Sequence, residues 1–172
     1  MKFRVTTSRD ADLSALPAIE TRAAARFAEH PLTAALCLDA APPRDFAAAH
    51  AQGLLWVARD EADAPVGFAL VETGEHGWHL EEMDVLPECS RMGIGAELLR
   101  TIMEAARQHG AAYLTLTTFR EIPWNAPYYA RLGFSAIADA DLSPDLRERI
   151  AREEEAGLPR ALRVAMRYAL AE

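Results

Sequence analysis

The chain has 172 residues, of which 51% are hydrophobic, and its formal net charge at pH 7 is −8. This length supports one substantial core, so we expect a single domain over residues 1–172. The acidic balance argues against nucleic acid as a main partner, because phosphate binding needs a basic surface. No apolar run approaches the roughly 20 residues that cross a membrane, so we expect no membrane partner.

The cysteines and histidines suggest neither a metal framework nor disulfides. Cys37 and Cys89 form no CxxC pattern, which fits a reducing compartment. His76 and His79 have no apparent third metal ligand. Because the first residues, MKFRVTT, also lack the apolar region of a signal peptide, we expect a cytoplasmic protein.

The first half of the chain predicts one strand, two helices and three further strands. Hydrophobic periodicity places them as follows: strand 2–7, helices 8–29 and 45–52, and strands 54–59, 66–72 and 78–86. Because Pro17 fits a helix only near its first turn, the first helix proper is expected to begin around Ser14. Short polar turns join the last three strands, so these strands are expected to pair antiparallel.

The second half begins with a strongly amphipathic helix over 93–109, with Ile94, Leu98 and Ile102 on one face. The remaining predicted elements are strand 112–118, helix 125–132, strand 134–138, helix 143–156 and strand 160–170. The strand-helix-strand unit over 78–118 requires a parallel crossover. The predicted fold class is therefore α/β, with a mixed, mostly antiparallel sheet of about seven strands, a central parallel β-α-β unit and flanking helices.

The stretch SRMGIGAELL, residues 90–99, places Gly93 and Gly95 at the start of the amphipathic helix. Glycine costs a helix about 1 kcal/mol at an interior position. Unpaired N–H groups and the helix dipole attract anions at this end, and small residues allow a close approach. The glycines therefore indicate a phosphate or pyrophosphate ligand or, alternatively, a turn before a helix.

The segments MDVLPECSRMGIGAELL and NAPYYARLGF together resemble the GNAT superfamily of acyl-CoA-dependent N-acetyltransferases. This resemblance implies a GNAT-like fold, acetyl-CoA as cosubstrate and no metal. Backbone amides of the glycine loop would hold the pyrophosphate. The implied residues are Arg91, Met92, Gly93, Ile94, Gly95 and Ala96. Ser90 stands where the family usually has Gln or Arg, and Met92 where a basic residue is common, which predicts weaker affinity.

The same resemblance implies roles for residues on either side of the loop. Tyr129, four residues before Gly133, matches the general acid that protonates the leaving thiolate. Asn125 matches a residue that binds the pantetheine arm, and it could equally be a helix N-cap. The backbone of Met83 and Val85 would bind pantetheine and the thioester carbonyl.

The predicted strand 78–86 carries the candidates for the general base. Alternation places His79 and Glu81 on one face together with Met83 and Val85, and places Leu80, Glu82 and Asp84 on the other. The resemblance favours Glu81, acting directly or through water, with His79 as second choice. Glu81 could instead be an ion-paired strand residue.

The function that the sequence predicts is acetyl transfer from acetyl-CoA to a primary amine of a small molecule, directly in a ternary complex. Two alternatives stay open: a non-catalytic acyl-CoA-binding sensor, and an acetyltransferase for protein amino groups. A homodimer is compatible with the sequence and is not required by it.

Overall fold

The computed structural model describes residues 2–36 and 44–170. Cys37 and most of the proline-containing connector that follows it lie outside these residues. The strands are β1 Arg4–Thr7, β2 Leu55–Arg59, β3 Pro65–Thr73, β4 Gly77–Val85, β5 Tyr113–Phe119, β6 Ser135–Ala136 and β7 Arg163–Ala169. The helices are α1 Leu16–Ala28, α2 Phe46–Ala51, α3 Ile94–Gln108, α4 Ala126–Arg131 and α5 Pro144–Glu155.

The seven strands form one sheet in the order β1-β2-β3-β4-β5-β7-β6. Every neighbouring pair is antiparallel except β4 and β5, which are parallel and are connected through α3. This arrangement confirms the predicted fold class, including the number of strands and the central parallel unit.

Apolar side chains cover both faces of the sheet. On one face, α3 buries the stripe of Ile94, Leu98 and Ile102 against β2 to β5 and β7. On the opposite face, α1 and α2 pack against β2 and β3, and α5 packs against β7. The second half of β4 therefore lies between α3 on one side and the α1–α2 layer on the other.

Two element boundaries differ from the sequence expectation. The first helix begins at Leu16, two residues after the expected start near Ser14, and Pro17 lies in its first turn. The last strand begins at Arg163, because residues 160–162 form a 3₁₀ turn before it. Neither difference moves a candidate site residue.

Candidate active site

The parallel ladder between β4 and β5 ends halfway along both strands. Its last pair is Leu80 with Leu116, although β4 continues to Val85 and β5 to Phe119. β5 remains paired with β7 on its other edge. The second half of β4 therefore has an open edge inside the sheet, where backbone groups lack a strand partner.

Two backbone amides of β4 point toward this open edge. On the other edge, the Leu86 N–H donates to the Val66 carbonyl of β3 at 2.9 Å. Hydrogen bonding to one neighbour alternates along an antiparallel strand, so the amides of Met83 and Val85 face away from β3. These are the two β4 residues for which the sequence predicts contact with the cosubstrate.

A β-bulge interrupts β4 just before this region. Leu70 of β3 pairs with Glu82, whereas the next residue, Val71, pairs with Leu80. Glu81 is therefore an extra residue with no partner on β3. A bulge of this kind breaks the two-residue alternation of side chains and bends the strand.

The bulge corrects the predicted faces of β4. Met83 and Val85 pack against the α3-side cluster that contains Leu80. The ring of His79 instead bonds to Thr115 of β5. The prediction that Met83 and Val85 share a face with His79 is therefore wrong, because the alternation that it assumes stops at the bulge.

Six consecutive backbone amides, from Arg91 to Ala96, donate to no acceptor among the described residues. On one side of this stretch, the Ser90 N–H donates to the Pro87 carbonyl at 3.1 Å. On the other, the Glu97 N–H donates to the Gly93 carbonyl at 3.0 Å. Free N–H groups at the start of a 15-residue helix form a site for an anion.

Gly93 and Gly95 serve different purposes in this site. Gly93 is the N-cap of α3 with a φ of 84°, and a Cβ there would meet no atom within 4 Å. It provides a left-handed conformation and an open approach. A Cβ on Gly95 would lie 2.8 Å from the hydroxyl oxygen of Tyr128. The second glycine therefore makes room for α4 against the start of α3.

Tyr129 of α4 packs in the α3-side cluster and is only 8% exposed. Its hydroxyl forms no hydrogen bond with the described residues and is not among their fully enclosed polar atoms, so it keeps some access to solvent. Burial raises the pKa of this hydroxyl, and the nearby Glu82 raises it further. Tyr129 therefore remains protonated at neutral pH, with a hydrogen available for donation.

Asn125 lies at the N-cap position of α4, but its side chain does not cap the helix. Its Nδ2 donates to Thr118 Oγ1 at 2.7 Å, and its Oδ1 is buried without a donor among the described residues. An unpaired buried acceptor typically costs about 1 to 3 kcal/mol. A ligand N–H would satisfy it.

Glu81, the predicted base, is held by arginines from two other segments. Its carboxylate accepts a hydrogen bond from Arg44 at 3.1 Å and another from Arg149 of α5 at 2.8 Å. Arg44 also pairs with Glu82 and with Glu20 of α1. Glu81 therefore belongs to an ion-pair network that connects the bulge of β4 to α1 through Arg44 and to α5 through Arg149.

His79, the second candidate, is 8% exposed and forms a defined hydrogen-bond pair. Its Nδ1 lies 2.9 Å from Thr115 Oγ1, which in turn lies 3.3 Å from the Trp78 carbonyl oxygen. Burial lowers the pKa of His79 to about 4, and the positive charge of Arg149 also lowers it. The ring is therefore neutral at neutral pH.

Asp84 and Glu82 are two further acidic residues of β4, neither of which was predicted from the sequence to be the base. Asp84 forms neither a hydrogen bond nor an ion pair with any described residue, and its oxygens are not among the enclosed unpaired atoms. Burial raises the pKa of Asp84 to about 9, and Glu82 and Glu20 raise it as well. Burial also raises the pKa of Glu82. A displaced pKa in an open position is typical of a functional group.

The described residues offer neither a reactive cysteine nor a metal site nor a membrane-spanning helix. Cys89 is buried in the α3-side cluster, and burial raises the pKa of its thiol, so it is a weak nucleophile. Over residues 2–36 and 44–170, no three His, Cys, Asp or Glu side chains form a group that could hold a metal ion. No helix in these ranges is both long and apolar enough to cross a bilayer.

The fold and the site define a protein with a run of free backbone amides at a helix start, a split sheet and a buried tyrosine. The sequence matches the acetyltransferase (GNAT) family over residues 21–134. Because this match spans more than half of the chain, the chain belongs to that family of acyl-CoA-dependent N-acetyltransferases.

Solved structures with the same fold include three enzymes of stated activity. The PaiA N-acetyltransferase from Thermoplasma acidophilum, in complex with coenzyme A, has a TM-score of 0.71 and 13% identity, with 98% of this chain and 99% of that one covered. The ribosomal-protein-S18-alanine N-acetyltransferase from Escherichia coli has a TM-score of 0.65 and 19% identity, covering 99% and 96%. N-acetylglutamate synthase from Neisseria gonorrhoeae, complexed with coenzyme A and N-acetyl-glutamate, has a TM-score of 0.73 and 15% identity; the alignment covers 100% of this chain and 36% of that one.

Proposed function

We propose that this protein transfers the acetyl group of acetyl-CoA to a primary amine of a small molecule, directly in a ternary complex. The observation that carries the proposal is the run of six free amides at the start of α3, which lies beside the open edge of β4. A pyrophosphate with an attached amide-containing arm has matching groups for both features. A simple glycine turn needs neither the open edge nor the free amides.

The cosubstrate would lie along these free backbone groups. The N–H groups of Arg91, Met92, Gly93, Ile94, Gly95 and Ala96 donate to the pyrophosphate. The amides of Met83 and Val85 bind the pantetheine arm and the thioester oxygen, and Asn125 Oδ1 accepts from an N–H of that arm. Because the grip is mainly backbone, the unusual Ser90 and Met92 reduce affinity without removing it.

Tyr129 would act on the leaving sulfur. As the amine nitrogen bonds to the carbonyl carbon, the carbon–sulfur bond breaks and negative charge develops on sulfur. A free thiol has a pKa of about 8.5, and the pKa of Tyr129 is raised above that of a free tyrosine. Complete proton transfer from the tyrosine would therefore be uphill. The Tyr129 O–H instead stabilises the thiolate by donating a hydrogen bond.

We assign the proton-accepting role to Asp84 rather than to Glu81 or His79. Both oxygens of Glu81 already accept hydrogen bonds from arginines, and the low pKa of His79 makes it a weak base. Asp84 is free of such partners and lies close enough to Tyr129 to raise the pKa of its hydroxyl. An ammonium bound beside Asp84 favours the carboxylate form, which then takes the proton that the amine must lose.

A thiol-release assay with acetyl-CoA and a panel of small amines tests the proposal, with Tyr129→Phe as the key variant. We expect acetyl-CoA-dependent, amine-dependent release of coenzyme A in the wild type. Tyr129→Phe should lower kcat about 10- to 100-fold while the Kd for acetyl-CoA stays unchanged. Equal turnover in the variant would contradict the role of Tyr129.

The two alternatives make different predictions in the same experiment. A sensor would bind acetyl-CoA and release no coenzyme A with any amine. An acetyltransferase for protein amino groups would give a stronger signal with peptides than with small amines. The free Asp84 carboxyl and Tyr129 hydroxyl support a catalyst over a sensor, since simple cosubstrate binding requires neither group.

A further inference from the structure

Arg26 of α1 is a half-buried cation without a counterion among the described residues. Its guanidinium carbon lies 4.3 Å from the centroid of the Trp124 ring. Arg22, one turn earlier on the same helix, forms an exposed ion pair with Glu88 at 2.8 Å. The two arginines therefore differ in their surroundings, because only Arg22 forms an ion pair with a described residue.

A group of packed aromatic rings, which includes Trp124 and Phe27, lies against Arg26. The Trp124 ring lies 5.9 Å from Phe27 and meets His30 edge-on at 5.3 Å. Phe27 in turn lies 5.5 Å from Phe119. A guanidinium that stacks on an aromatic ring has its N–H donors at the edge of its plane, where they can bind a carboxylate.

Arg26 lies next to the proposed transfer site. Burial lowers the pKa of its guanidinium, and the proximity of Asp84 and Tyr129 partly opposes this change. α1 packs on the sheet face opposite α3. Arg26 is therefore on the acceptor side of the site, separated by the sheet from the amides proposed for the pyrophosphate.

The surrounding acids leave the charge of Arg26 uncompensated. Glu20 and Glu82 are both engaged by Arg44. Asp84 is protonated at neutral pH because its pKa lies near 9. A partly buried cation in these surroundings gains most from an anion that arrives with the substrate.

We propose that Arg26 binds a carboxylate of the acceptor, and that the acceptor is a free amino acid. Its ammonium group would lie beside Asp84, with its carboxylate on the Arg26 guanidinium above Trp124. Because Arg26 and Asp84 are close enough to influence each other's pKa, these two groups would be close together in the acceptor. The inference rests on the proposed function, because it names the substrate class of that same site.

The test compares each amino acid with the amine of the same structure that lacks the carboxylate. Suitable pairs are phenylalanine with phenethylamine and leucine with isoamylamine. Each pair is assayed with wild type, Arg26→Ala and the matched control Arg22→Ala. The wild type should give a kcat/KM at least tenfold higher for amino acids. Arg26→Ala should lower that value about 10- to 100-fold and leave the carboxylate-free amines unchanged. Arg22→Ala should behave like wild type.

Calorimetric titration with acetyl-CoA separates the two ways in which the proposal can fail. If acetyl-CoA binds and amines react without a preference for the carboxylate, the assignment of Arg26 is overturned and the proposed function stands. A panel in which no amino acid reacts, or an Arg26→Ala variant that loses both substrates equally, also overturns it. If acetyl-CoA does not bind, the proposed function fails and takes this inference with it.

Discussion

The proposed cosubstrate half and the proposed acceptor half of the site consist of different chemical groups. The cosubstrate half consists of backbone amides at the start of α3 and along the open edge of β4. The acceptor half consists of side chains from α1, β4 and the segment before α4. One half depends on chain conformation, whereas the other depends on which charges and rings meet in space.

This difference explains how each half responds to substitution. A backbone site tolerates changes in most side chains and is sensitive to a change that fills space or adds like charge at Gly93. A side-chain site is sensitive at each charged group and can therefore adapt to a new substrate. Substitutions in one half should leave the other half largely unchanged.

The largest effect is expected for Gly93→Glu. A glutamate there places bulk and negative charge over the free amides and should weaken acetyl-CoA binding more than 100-fold in calorimetry. Gly110→Glu is the matched control, because Gly110 also has a positive φ, of 76°, and open space around its Cβ position. The control carries the same backbone strain at the other end of α3, so it should retain binding.

Asp84→Asn comes next and addresses the acceptor half. It should lower kcat/KM by about 100-fold, the scale of a lost general base, while the Kd for acetyl-CoA stays within about twofold. In the wild type, kcat/KM should rise with pH and level off near pH 9, where the carboxyl ionises. A variant with full activity and the same pH profile would remove Asp84 from the mechanism.

The same substitution should stabilise the protein. An unfolded aspartate titrates at about pH 4, whereas burial raises the pKa of Asp84 to about 9 in the folded state. Between these values the folded protein binds more protons, so its stability falls as pH rises. Asp84→Asn removes this dependence, and urea unfolding at pH 8 should show a gain of about 1 to 3 kcal/mol.

Gly95→Ala should have an intermediate effect, because its Cβ would lie 2.8 Å from the Tyr128 hydroxyl. We expect about a 5- to 10-fold loss of acetyl-CoA affinity and a destabilisation of about 1 to 2 kcal/mol. Tyr128→Phe removes that oxygen, and the next ring atom is 3.7 Å away. The double variant should therefore recover most of the loss, whereas additive losses would show that the contact is unimportant.

The smallest effect on turnover is expected for Glu81→Gln. Removing the charge between Arg44 and Arg149 should destabilise the fold by about 1 to 2 kcal/mol and change kcat less than fivefold. The pH profile of kcat/KM should stay that of wild type. A 100-fold loss of kcat with unchanged stability would instead make Glu81 the base.

The sequence was sufficient for the fold and for the location of the glycine loop, because both depend on periodicity and on local backbone signals. The amphipathic stripe of α3 and the glycines before it are visible in a single chain. The bulge at Glu81 is not visible, since it depends on the register between β3 and β4. The bulge changes which side chains of β4 share a face, so simple alternation could not identify Asp84 as the free acid.

The acceptor half could not be predicted, because its members are distant in sequence. Arg26 and Trp124 meet only when α1 packs beside the segment that precedes α4. A single arginine on a helix gives no signal that it lacks a counterion. The run of acids in β4 is a signal for chemistry, but only the folded chain shows which acid is free.

The most direct test of the central claim is amide mapping by ¹H–¹⁵N NMR, for which a protein of 18.9 kDa is well suited. We predict that coenzyme A shifts the amide resonances of residues 91–96 most strongly, together with those of Met83 and Val85. Inorganic pyrophosphate should shift only the loop residues. If coenzyme A binds but the amide resonances of residues 91–96 do not shift, the account is contradicted, because the anion site would then lie elsewhere.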